Sequence, residues 1–183
     1  DWLSSDSLDV FLKQSKEHQG YWNQMQRERP IKYYLNKYGF RSDKFPEEEC
    51  RESITFIGCS NTTGIGVSKE DTWTYKVSKE LRLKEINLGI PAGSTDSAFR
   101  VYNEWQNIHK SKITCFLLPP TSRLEIINSK NKNWLNVGRW LLNEKYLPGN
   151  PQKRIVLNLL DDTLNEVRTD RNIAAISWIA QRT

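Results

Sequence analysis

Histidine is nearly missing from this chain. His18 and His109 are the only two in 183 residues, so chemistry that needs an imidazole base has two candidates at most. Cysteine is sparse as well: Cys50, Cys59 and Cys115 are odd in number and widely spaced, with neither a C-x-x-C pair nor a Cys/His cluster. That pattern carries no metal signature and favours a reducing, cytoplasmic origin. No run approaches the ~20 apolar residues of a membrane span, no basic-then-apolar leader opens the sequence, and neither repeats nor low-complexity tracts occur. Apolar residues make up 37% of the chain and the mean hydropathy is −0.69, which calls for a compact core under a strongly polar surface.

The seven tryptophans offset that scarcity. Trp73, Trp105, Trp134, Trp140 and Trp178 fall in helical stretches, where an aromatic facing a sheet buries much area, so packing is their expected role. The net charge of +5 is uneven. Nine Lys and Arg between positions 110 and 154 face only Glu125 and Glu144, interleaved with Trp134, Trp140 and Tyr146. A phosphate backbone or an anionic polysaccharide would suit such a stretch, but the charges form no tight run and match no nucleic-acid module, so a solvated helix face is the better explanation.

Periodicity gives alternating elements: strands at 53–57, 84–88, 112–118 and 154–160, helices at 71–82, 97–110, 131–145 and 170–181. Alternation of this kind predicts an α/β domain with a mainly parallel sheet covered by helices on both faces. It spans 51–183. Residues 1–50 read as a helical arm and connection, with Leu8, Phe11 and Leu12, then Tyr21, Trp22 and Met25 at helical intervals, and with Arg29-Pro30 and Phe45-Pro46 as punctuation. The arm's aromatics suit packing on the core or on a protein partner.

The most informative stretch is Gly58-Cys59-Ser60-Asn61-Thr62-Thr63-Gly64-Ile65-Gly66, which follows a β-branched strand and precedes a helix. No lysine follows Gly64 or Gly66 as a phosphate loop needs, and no third glycine completes a dinucleotide fingerprint, so no cofactor is expected. Loops at the carboxyl ends of strands hold ligands in α/β proteins, so Ser60 lies where a nucleophile is displayed. Cys59 is the alternative reactive group, ranked below Ser60 because adjacent strand residues point to opposite faces. The Asn61-Thr62-Thr63 glycosylation pattern is idle without secretion.

A second loop, Asn87-Leu88-Gly89-Ile90-Pro91-Ala92-Gly93-Ser94-Thr95-Asp96, follows the next strand. Together with Gly58-Cys59-Ser60 and the preceding Asn36-Lys37-Tyr38-Gly39-Phe40-Arg41, it resembles the SGNH, or GDSL-like, hydrolase family, in the Gly-Cys-Ser variant found among bacterial and phage-encoded members. The resemblance covers about Asn36 to Arg100. It implies a three-layer α/β/α fold with a flavodoxin-like sheet, and a serine esterase that deacylates a carbohydrate or a small ester. Ser60 would be the nucleophile. Backbone N–H groups of Ser60 and of the Ala92-Gly93 turn would form the oxyanion hole, with Asn61 or Thr121 adding a side-chain donor.

Two family signatures are missing. Pro119-Pro120-Thr121-Ser122-Arg123 stands where the third motif places Gly-x-Asn-Asp, and no Asp-x-x-His supplies the base. Neither His18 nor His109 matches the family's position; both read as solvated surface histidines. The start at Asp1 and the end at Arg182-Thr183 fit a piece of a longer protein whose base lies beyond Thr183, the piece itself being inactive. The rival is a non-catalytic, carbohydrate-binding or virion-associated module on the same fold. If a base exists within the chain, His109 or Asp96 are the groups to suspect.

Overall fold

The computed structural model describes residues 8–17, 31–45, 51–127, 132–139, 159 and 161–182. Its centre is β1 (Ser53–Gly58), buried at every position. A continuous β-branched and aromatic run of this kind is what a strand covered on both faces requires. β1 pairs in parallel with β2 (Lys84–Asn87) on one side and with β3 (Ile113–Leu117) on the other, so the sheet order is β2-β1-β3. Thr55 stands opposite Ile86 in β2 and Thr114 in β3.

Alternation along β1 assigns the layers. Phe56 meets Trp73 edge-on, with ring centroids 5.0 Å apart, which seats α3 (Trp73–Glu80) on one face. The neighbouring Thr55 accepts a hydrogen bond from Trp105 Nε1 at 3.1 Å, and Ile57 packs with Ala98, Val101 and Trp105, which seats α4 (Thr95–Gln106) on the other. Thr72 caps α3 by accepting from the Tyr75 N–H, and Ser94 and Ser97 cap α4 reciprocally; such caps satisfy N–H groups that the first turn leaves without partners. A short α2 (Ser60–Thr63) follows β1 directly. The protein is therefore an α/β structure with a parallel three-stranded sheet between helices. No described helix is long and apolar enough to cross a membrane.

Two elements and two tryptophans depart from the sequence reading. Trp134–Val137, expected inside a helix over 131–145, is a strand, β5, paired antiparallel with β4 (Leu124–Ile127). A short apolar run carries no period of its own, so the β4 pairing decides. The last helix, α5 (Asp162–Ala180), begins eight residues earlier than expected. Its seam against α4 runs through Asn165, Thr169, Asn172 and Ile176, a helical spacing written mostly in polar residues. Trp134 and Trp178 lie about half exposed rather than in the core, whereas Trp105 is buried. The expected strand at 154–160 falls outside the described residues apart from Leu159, and Trp140, Tyr21, Trp22 and Met25 lie outside them entirely.

Ahead of the sheet, α1 spans Leu8–Glu17. Residues 31–45 are seated on the α/β unit: Phe45 packs edge-on against Trp105 at 4.9 Å, and the Tyr33 hydroxyl accepts a hydrogen bond from the Gly66 N–H at 2.8 Å.

Candidate active site

Ser60 opens α2 immediately after the buried Cys59, and it is half-buried. Its carbonyl accepts the N–H groups of Gly64 and Ile65, and Gly64 ends the turn in the left-handed region at φ 78°. Close backbone approaches lock this turn to its neighbours. A Cβ on Gly58 would lie 2.6 Å from the Leu117 carbonyl of β3, and one on Gly89 would lie 2.4 Å from the Thr63 amide. The loops after β1 and β2 are thus in direct contact, and the end of β3 closes on the same point.

Polar side chains complete the clamp. Buried Asn87 donates from Nδ2 to the Thr62 carbonyl at 2.7 Å and to Thr74 Oγ1 at 3.2 Å, while its Oδ1 accepts from the Gly89 N–H at 2.9 Å. From the other side, the Asn36 side chain accepts from the N–H groups of Tyr38 and Phe40, and this folded-back turn aims Arg41 inward. The buried Arg41 guanidinium donates to the carbonyls of Thr63, Gly64 and Val67 and lies over the Tyr33 ring at 4.6 Å. Lysine has one point of charge where this site needs a fork. Arg41→Lys is expected to lose about 2 kcal/mol of stability, on the scale of charge-assisted hydrogen bonds, read as a fall in the thermal midpoint.

The second loop makes a turn in which the Gly93 N–H donates to the Ile90 carbonyl at 2.9 Å, with Ala92 in the left-handed region at φ 61°. The Ile90 N–H in turn donates to the Gly58 carbonyl at 2.9 Å. Ala92 and Gly93 therefore stand beside the Ser60 loop. The Gly93 amide is occupied in closing its own turn, so the expected backbone donors of an oxyanion hole reduce to the Ser60 and Ala92 N–H groups. Asn61 and Thr121 are exposed and Ser122 is half-buried. None of the three is hydrogen bonded to Ser60.

The candidate bases are elsewhere. His109 is buried at 6% exposure, not solvated, and its ring tilts over Trp105 at 4.4 Å. It follows the far end of α4, a twelve-residue helix about 18 Å long at ~1.5 Å per residue, whose first turn is the end near the Ser60 loop. Asp96 is held by Asn172 Nδ2 at 2.7 Å, by the Glu125 N–H at 3.1 Å and by the Arg168 guanidinium at 3.2 Å. It ties α4, α5 and β4 together. His18 and Cys50 lie outside the described residues. Cys59 is buried at 3%, and burial pushes the Cys115 thiol up.

Glu85 on β2 has a displaced proton affinity. Burial raises it above its ordinary 4.5, with the Thr74 hydroxyl and Lys69 opposing. A carboxyl group that binds its proton more tightly folded than unfolded lowers stability as pH rises from the unfolded value through the folded one. Glu85→Gln is expected to remove that decline, so its thermal midpoint should gain on the parent at neutral pH and not in acid.

Two clefts, of about 540 and 450 Å3, flank residues 32–45; Ser60, Ala92 and Gly93 line neither. Among the described residues no group of three or more His, Cys, Asp and Glu is placed to hold a metal ion. No family model matches this chain, and no curated protein or solved structure matches it either.

Proposed function

We propose that the chain is a serine ester hydrolase of the SGNH, or GDSL-like, kind, acting through Ser60 on an acylated carbohydrate or a small ester. The observation that carries this reading is the position of Ser60, half-buried at the carboxyl end of the central strand in a β2-β1-β3 sheet. In doubly wound sheets of that order, ligands bind in the crevice between the loops after the first and third strands. The rigid turn around Ser60 supports the same reading, since a nucleophile works only when held in a fixed attack geometry.

In the proposed reaction the Ser60 Oγ attacks the acyl carbon and its proton passes to a base. The oxyanion is held by the N–H groups of Ser60 and Ala92, the alcohol leaves with a proton, and water then cleaves the acyl-serine. Among the described residues nothing is hydrogen bonded to the Ser60 side chain. That observation favours a second reading, a non-catalytic module on the same fold that binds carbohydrate or serves in a virion.

Fluorophosphonate labelling separates the two. The 183-residue chain is expected to label slowly at Ser60, on the order of 10⁴-fold or more below a serine with a complete triad. Labelling should vanish in Ser60→Ala and persist in Cys59→Ala. Fast labelling at Ser60 would reveal a base within the chain. Absence of labelling at Ser60 on prolonged exposure would sink the esterase in favour of the binding module.

A further inference from the structure

The polarity of α5 is reversed. Three of the four residues it buries, Asn165, Thr169 and Asn172, are polar, while Leu164, Val167 and Trp178 stand 51%, 63% and 56% exposed. With Arg171 and Ala174, both exposed, they fall at 164, 167, 171, 174 and 178. That alternation of three- and four-residue steps keeps one stripe of a helix against a neighbouring helix. Single apolar residues on a surface need no explanation, but this stripe runs along a helix of 19 residues, about 28 Å at ~1.5 Å per residue, and a continuous apolar strip marks a contact.

The charges say what fits there. Asp162, Glu166 and Asp170 lie in the first half of α5, where Arg168 turns inward to Asp96. Arg171 opens the second half, and no acidic residue follows Asp170. A second copy laid antiparallel sets the acidic half against the basic half and opposes the two helix dipoles. Laid parallel, it would set Arg171 on Arg171 in the middle of the stripe, a repulsion that rejects that pairing. In the antiparallel register Val167 meets Trp178 of the second copy, and Arg171 crosses Ala174. The small alanine lets the arginine stem lie flat and carries its head to Asp170 of that copy. Asp170 is exposed. Arg171 is 70% exposed, and the carboxylate it faces, Asp96, is 3.9 Å away and already accepts from Asn172 and from the Glu125 N–H. We propose that the outward face of α5 is a homodimer interface, two copies pairing this helix antiparallel about a two-fold axis that passes between Arg171 and Ala174. One helix pair of this length falls near the low end of specific interfaces, so the dissociation constant is expected at about 10–100 µM.

Sedimentation equilibrium of the 183-residue chain, over concentrations reaching roughly tenfold above that range, should show a monomer and a dimer. Val167→Glu, at an exposed position, should leave the thermal midpoint of dilute protein at the parent's value and weaken association about tenfold or more, since it buries a charge in the contact. Asp170→Arg and Arg171→Asp should each weaken association severalfold by setting like charges together, and the protein carrying both should recover the parent's constant. This exchange carries the test if Val167→Glu does not fold. Copies carrying Val167→Cys, mixed with copies carrying Trp178→Cys, should form a disulfide with each other and not with their own kind. A monomer at the highest concentration, association untouched by Val167→Glu, a charge exchange that restores nothing, or self-linked Val167→Cys copies overturns the proposal. None of these readouts involves Ser60, so failure here leaves the esterase reading intact.

Discussion

Gly89→Ala is expected to lower the thermal midpoint by roughly 6–12 °C, although it adds a single methyl group. The added carbon would lie 2.4 Å from the Thr63 amide nitrogen and 2.9 Å from the Thr62 carbonyl carbon. Both are backbone atoms, so no rotamer change relieves the contact and the Ser60 turn must move as a unit. Overpacking costs about 1–3 kcal/mol, and a backbone collision belongs at the top of that range. Each kcal/mol corresponds to about 2–4 °C in a chain of this size. Gly39→Ala is the control. Nothing lies within 4 Å of a Cβ there, so only the positive φ opposes it, at a cost of roughly 1 kcal/mol. A Gly89→Ala protein that melts with the parent would show that the loops after β1 and β2 are not in contact. On the proposed esterase reading, the same displacement should also slow fluorophosphonate labelling at Ser60.

What could be read from the sequence follows from where the signal is physical and local. The run Ser53-Ile54-Thr55-Phe56-Ile57 announces a buried strand because every position after Ser53 is apolar or β-branched, and β1 is buried throughout. The glycines at 58, 64 and 89 announce tight loops because a side chain would collide or meet a strained φ, and they bring the two loops together. Long-range pairing was not legible. Nothing local distinguishes Trp134-Leu135-Asn136-Val137 as a strand. It becomes one by pairing with β4, and Asn136 joins Ser97 Oγ and the Pro91 carbonyl. The start of α5 escaped because its inward residues, Asn165, Thr169 and Asn172, are polar, so a search for an apolar stripe finds its outward face instead. His109 reads as a surface residue at a polar helix end, yet it is buried, with the ring of Trp105, four residues earlier, tilted over it and Phe45 packed on Trp105. The Gly93 amide could not be assigned either, because which N–H a turn uses internally is a matter of geometry, not composition.

Asp96 tests whether the hub of the second loop is scaffold or chemistry. Asp96→Ala removes the acceptor used by Asn172 Nδ2 and by the Glu125 N–H and leaves Arg168, only 15% exposed, without its carboxylate. The Arg168 Nε lies 3.2 Å from Oδ2 yet its N–H is not aligned as a hydrogen bond, so the attraction there is chiefly that of charge. Removing one member of a buried pair costs about 3–5 kcal/mol. Both groups keep some exposure, so the lower end, about 3 kcal/mol, is expected, again a fall of roughly 6–12 °C. Asp96→Asn keeps one acceptor oxygen and should lose about half as much. A base acting on Ser60 would behave differently, since the isosteric amide would melt near the parent while Ser60 labelling collapsed. With its oxygens facing α5 and β4, Asp96 is expected to show the first pattern: stability falls in step with the contacts removed, and the labelling rate per folded molecule stays constant. A collapse of labelling in a stably folded Asp96→Asn would instead make this carboxylate the missing base.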